Sequence, residues 1–161
     1  MEKKTISIPV IIKNDDELTQ QECAMRDEAL RATCRSYSPY SHFSVGAALL
    51  LADNTIVSGS NQENAAYPSG LCAERTAMFY ANSSHPDTPI KCLCITARGT
   101  NGHIVSQPIS PCGACRQSLL EAETRFHSDI QVMLYSTGKT YIIRSIKDLL
   151  PLSFSQSDLN P

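Results

Sequence analysis

The sequence predicts an α/β chain, a three-layer α/β/α arrangement around a mixed, roughly five-stranded sheet. Three observations carry that expectation. Short apolar runs with strand character alternate with segments of helical period. The first two runs are separated by only a turn, Asp53-Asn54, so the sheet must contain a hairpin and cannot be all parallel. No repeat, linker or low-complexity run divides the 161 residues, which suit one domain with its own core.

Each element has its local reason. Residues 1–17 are expected to form an arm with a short strand at Ile6–Ile12, and residues 18–161 a single domain. From Leu18 to about Arg35 the apolar positions Leu18, Met25, Ala29 and Ala32 recur at helical spacing. Thr19 and Glu22 suit a capping box, and Pro39 lies beyond the end. FSVGAALLLA, residues 43–52, reads as a buried strand and TIVSGS as its hairpin partner. A helix should open near Cys72 and run to about Asn82. KCLCITA, residues 91–97, reads as a central strand. Another helix follows Pro111, starting near Cys112 and reaching about Glu123. IQVMLY and TYIIR supply two more strands, and a short helix from Ser145 to Leu150 stops at Pro151.

Charge and composition exclude several functions. Fourteen Lys and Arg stand against sixteen Asp and Glu, a net charge of −2, so nothing marks a nucleic-acid footprint. No apolar run approaches the roughly 20 residues of a membrane span. The run IPVII near the amino terminus is too short for a signal peptide, so a cytoplasmic protein is expected. Seven cysteines is an odd number, and in a reducing compartment clustered cysteines serve metal binding or catalysis better than disulfides.

Cys112 and Cys115 are three apart at a helix start, so both face one side. That spacing fits two ligands of a zinc ion, and it also fits a redox pair. Cys72 tips the balance toward zinc, since it too sits where a helix begins, after Ser69-Gly70. Two helix starts can converge and present three thiolates, leaving a fourth position on the metal open for water. Glu74, two residues after Cys72, does not share its helical face and need not be a ligand. Side chains lean toward the helix N-terminus, so Glu74 can stand beside the water and move its proton. Three thiolates leave excess negative charge on the site. Arg75 and the two helix N-termini, each worth roughly half a positive charge, offset it.

These residues carry a resemblance. Cys72-Ala73-Glu74 with Pro111-Cys112-Gly113-Ala114-Cys115 resembles the paired signature of the zinc nucleoside and base deaminases. YSPYSHFSVGAALL (37–50), NQENAAYPSGLCAERTA (61–77), ISPCGACRQ (109–117) and LLPLSF (149–154) are similar to cytidine deaminase of the small, homotetrameric, three-cysteine type. The likeness runs from about residue 20 to 160, and the arm at 1–17 departs from it. It implies one Zn²⁺ per chain on Cys72, Cys112 and Cys115, with Glu74 as proton shuttle. The implied reaction is hydrolytic deamination of cytidine and 2′-deoxycytidine, in pyrimidine salvage, by a homotetramer.

The substrate pocket follows in the same way. Asn61 and Glu63 lie two apart, so in an extended segment their side chains point the same way. The resemblance assigns both to the sugar 3′-hydroxyl, while as isolated residues they also suit a turn. It places Phe43 against the pyrimidine ring and the Ala73 backbone N–H near the base carbonyl. Tyr40, Tyr67 and Phe154 match pocket-lining positions, with Phe154 reaching a neighbouring subunit's site. Cys23, Cys34, Cys92 and Cys94 read as ordinary small hydrophobes. Rival readings are a structural zinc module, closed by a fourth ligand such as Cys94, and a nucleic-acid-editing deaminase, which needs a basic groove. A blasticidin-type nucleoside deaminase shares the metal motif but lacks the N-x-E-N-A-x-Y stretch present here.

Overall fold

The computed structural model describes residues 1–159; the last two residues of the expected domain, 160 and 161, lie outside the described residues. Ten regular elements run in the order β1 (Ile11–Lys13), α1 (Gln20–Thr33), β2 (Ser44–Leu51), β3 (Ile56–Ser60), α2 (Ala73–Ser84), β4 (Ile90–Arg98), α3 (Gly113–Phe126), β5 (Gln131–Ser136), β6 (Lys139–Ile143) and α4 (Ile146–Leu149). They form one mixed sheet in the order β1-β6-β5-β4-β2-β3, with β4 and β5 parallel and every other pair antiparallel.

The sheet has six strands rather than the expected five, and the sixth comes from the arm. Its place differs too. The expected strand at Ile6–Ile12 is observed at Ile11–Lys13, where Ile11 faces Ile142 and Lys13 faces Thr140. Pro9 explains the shift, because it has no N–H to give a ladder. The apolar residues before it stay exposed.

Strand alternation sorts side chains to the two faces. On β4, Cys92 and Cys94 pack with Met25 and Ala29 of α1. Leu93 and Ile95 point the other way, into the larger core beneath α2 and α3. Helices therefore cover both faces, as the alternating pattern predicts. The Thr19–Glu22 capping box opens α1 as expected. Asn54, at φ 69°, makes the hairpin turn between β2 and β3.

Two close approaches set the layers. A Cβ on Gly46 would lie 2.0 Å from the Ala29 carbonyl oxygen, so only glycine lets α1 sit this near β2. A Cβ on Gly59 would lie 2.5 Å from Ala77 N and 2.8 Å from Ala73 O, so the same holds for α2 on β3. On α3, Glu123 is fully buried yet satisfied. It accepts hydrogen bonds from Ile130 N at 2.7 Å, Ser145 Oγ at 3.0 Å and Ile146 N at 2.9 Å. One carboxylate thus ties the end of α3 to the approaches of β5 and α4.

Candidate active site

Cys72 is the N-cap of α2 and Cys112 the N-cap of α3, each in extended backbone. Cys115 follows in the first turn of α3. The two helix starts meet as the spacing predicts. Cys72 Sγ lies 3.7 Å from Cys112 Sγ, Cys112 Sγ lies 3.5 Å from Cys115 Sγ, and all three sulfurs fall within 4.8 Å of one another. A tetrahedral zinc with bonds of about 2.3 Å to sulfur needs sulfurs about 3.8 Å apart. The donor set fits zinc in both chemistry and spacing.

Cys94 does not join them. It is fully buried on the α1 face of the sheet, away from the cluster. Among the described residues the metal-capable group has three cysteines, so the closed fourth thiolate of a structural module is missing.

The surroundings favour the thiolate form at Cys72. A hydrogen bond from Cys115 works against burial to lower the Cys72 thiol to about 5, with further help from Arg75 and Cys112. Donating that hydrogen bond, and being buried, pushes the Cys115 thiol up. Arg75 Nη2 stands 4.0 Å from Cys72 Sγ. Glu74, in the first turn of α2, is 5 % exposed. Burial pushes its carboxyl above the ordinary carboxylate value, and negative charge on Cys72 adds to the effect.

A cavity of about 710 Å³ opens beside the cluster. Cys72, Ala73, Glu74 and Cys112 line it, as do Phe43, Asn61 and Glu63. Tyr40 and Tyr67 also line it, with ring centroids 6.1 Å apart at 67°, edge to face. Such a volume is ordinary for a small-molecule site. Of the expected substrate-binding residues, Phe154 is the one that does not line its own chain's pocket. Its ring is exposed and its carbonyl accepts from Gln117 Nε2 at 3.0 Å.

Asn61 and Glu63 both reach the pocket, but each is also tied to its walls. Asn61 Oδ1 accepts from Val45 N at 2.8 Å and Ser36 Oγ at 2.6 Å, while Nδ2 donates to Phe43 O at 2.9 Å. One amide N–H is left over. Glu63 Oε2 accepts from Tyr40 N at 2.9 Å and Ser41 N at 3.2 Å, and Oε1 accepts from Ser41 Oγ. The sequence reading missed Ser36 and Ser41. A signal was present: SYSPYSHFS, residues 36–44, holds four short hydroxyls, the residue type that hydrogen-bonds nearby backbone in turns.

Residues 19–127 match the family model described as the cytidine and deoxycytidylate deaminase zinc-binding region. The chain is 37% identical over 135 residues to the cytidine deaminase of Halalkalibacterium halodurans, covering 83% of this chain and 93% of that protein. It is 41% identical over 133 residues to the cytidine deaminase of Sporosarcina psychrophila, covering 83% and 90%. Among solved structures, the cytidine deaminase of Burkholderia pseudomallei aligns at a TM-score of 0.70 with 35% identity, over 85% of this chain and 100% of that one. Three convergent sulfurs, a buried carboxylate and these matches lead to one conclusion: the chain belongs to the cytidine and deoxycytidylate deaminase family, and it carries that family's zinc-binding region.

Proposed function

We propose that this protein deaminates cytidine and 2′-deoxycytidine hydrolytically, giving uridine or 2′-deoxyuridine and ammonia. One observation carries the reading. Cys72, Cys112 and a buried carboxylate, Glu74, line a nucleoside-sized cavity, and Cys115 completes a metal-capable set of three sulfurs with the two cysteines. Cys72, Cys112 and Cys115 hold the zinc, which when bound supplies Lewis-acid activation of a water molecule.

The rest falls to the chain's own groups. Glu74 takes a proton from the water and delivers it to N3 of the ring as oxygen bonds to C4. It then passes the second proton to the exocyclic amine, the C4–N bond breaks, and ammonia leaves as the C4 carbonyl forms. A carboxyl raised by burial is suited to holding that proton in transit. The Ala73 N–H meets the base carbonyl and Phe43 lies against the ring. Asn61, through its remaining N–H, and Glu63, through Oε1, hold the sugar 3′-hydroxyl. Tyr40 and Tyr67 wall the pocket. The working form is a cytoplasmic homotetramer, with the exposed Phe154 turned toward a neighbour's site.

A blasticidin-type deaminase is the lesser reading, since residues 61–67 and the named relatives both favour cytidine. Ultraviolet spectra of cytidine and deoxycytidine, incubated with zinc-loaded protein and with a chelator-stripped sample, test the reading. The zinc-loaded protein should convert the cytosine chromophore to uracil and leave free cytosine largely untouched. An unchanged cytidine spectrum would refute the activity.

A further inference from the structure

Ser41 makes three hydrogen bonds at the pocket wall. Its Oγ donates to Glu63 Oε1, its N donates to Glu63 Oε2 at 3.2 Å, and the same Oγ accepts from Phe43 N at 3.1 Å. One hydroxyl therefore joins the carboxylate to the first residues of β2. The backbone between Ser41 and Phe43 turns sharply, with His42 at φ 53° in the left-handed region. A side chain other than glycine rarely sits there unless neighbouring contacts hold it. The Ser41 Oγ to Phe43 N bond spans His42 and closes that turn.

The carboxylate's bonding is nearly filled by this loop. A carboxylate has about four lone-pair sites. Tyr40 N and Ser41 N occupy two on Oε2, and Ser41 Oγ occupies one on Oε1. One site on Oε1 remains, and Glu63 lines the cavity. The Ser41 hydroxyl fixes the rotation of the carboxylate, and so fixes where that last site points. Without it, Oε1 has two open sites, and only the two N–H bonds to Oε2 still resist rotation about the soft terminal torsion of Glu63.

We infer that Ser41 is a positioning residue for sugar recognition: its hydroxyl aims one Glu63 lone pair at the nucleoside 3′-hydroxyl while bracing the Phe43 end of β2. The inference rests on the sugar role proposed for Glu63. Ser41 touches neither the metal ligands nor the reacting atoms, so its effect is on discrimination and not on the chemical step.

The experiment compares kcat/KM for cytidine and 3′-deoxycytidine in wild type, Ser41→Ala and Ser41→Thr, with melting temperature and zinc content recorded for each. The cytidine preference should fall about 10-fold in Ser41→Ala, the scale of one hydrogen bond to a charged group. Ser41→Thr, which keeps the hydroxyl, should restore most of it. A purely structural role would lower both substrates together and leave their ratio alone. An unchanged ratio in Ser41→Ala overturns the inference by itself. A wild-type enzyme without preference for cytidine over 3′-deoxycytidine overturns the sugar role of Glu63 and this inference with it.

Discussion

Arg75 Nη2 lies 4.0 Å from Cys72 Sγ, one turn along the same helix. The guanidinium raises no ion pair with a carboxylate among the described residues, and its Nε is buried without a partner there. Its charge is directed at the sulfurs. Removing it leaves three thiolates with less compensation. Arg75→Gln should lower zinc affinity by about 10- to 100-fold, the usual cost of losing a group that supports a metal ligand. Competition with a coloured chelator reads this directly, and equal affinity in both proteins would count against the role.

Glu74→Gln keeps the shape of the buried side chain but cannot carry a proton. General acid–base catalysis is worth about 10²–10⁴ in rate, or roughly 3–5 kcal/mol. In the proposed mechanism Glu74 serves more than one transfer, so kcat should fall at or beyond the upper end of that range. Zinc content should stay near wild type. Near-normal turnover would remove Glu74 from the mechanism, and simultaneous loss of zinc would assign it to the metal site instead.

Gly59→Ala probes how the zinc helix is seated. The new Cβ would meet backbone atoms of Ala73 and Ala77, which cannot swing aside as a side-chain tip can. Either α2 moves away from β3 or the strand bends. Overpacking of this kind costs about 1–3 kcal/mol. Both melting temperature and kcat should drop, since Cys72 and Glu74 ride on the displaced helix. A variant that loses stability but keeps full activity would mean that the site tolerates the shift.

Acid should weaken the packing of α1 through Glu28. Burial pushes this carboxyl up, but hydrogen bonds from Ser58, Arg31 and Arg35 outweigh it and the net shift is downward from the ordinary 4.5. A lowered value means that the unfolded chain takes up the proton first. The stabilisation is therefore complete above pH 4.5 and is lost as pH falls through the folded value. Wild type should melt above Glu28→Gln at neutral pH, and the gap should close below pH 4.5. A gap independent of pH would exclude the ionised carboxylate as its source.

What the sequence made legible was set by range. The cores of β2 and β4 are apolar runs, and the metal cysteines announce themselves through spacing at two helix starts. Burial and proximity follow from local pattern in both cases. Register at the sheet edge does not. Whether Ile8 or Ile12 enters the ladder depends on Pro9 and on what β6 offers opposite, so β1 was displaced toward the chain's interior. The serines were hidden for a similar reason. Ser36 meets Asn61 and Ser41 meets Glu63 across 25 and 22 residues, and a lone serine in a loop carries no mark of such a partner. Asn61 and Glu63 were legible as pocket residues. That most of their bonding capacity goes to the loop around Phe43 was not.

The buried Glu123 has a consequence for how the molecule breathes. Amides of Ile130 and Ile146 end on the same carboxylate oxygen, although sixteen positions separate them in sequence. Neither can open to solvent without taking a hydrogen bond from a fully buried carboxyl oxygen that the other shares, so their hydrogen exchange should proceed as one cooperative event. Arg116, one residue past the last cysteine, extends that unit by donating to Leu149 O at 2.6 Å. Slow-exchanging protons at the carboxyl-terminal end of the fold would thus report on the integrity of the helix that carries Cys112 and Cys115.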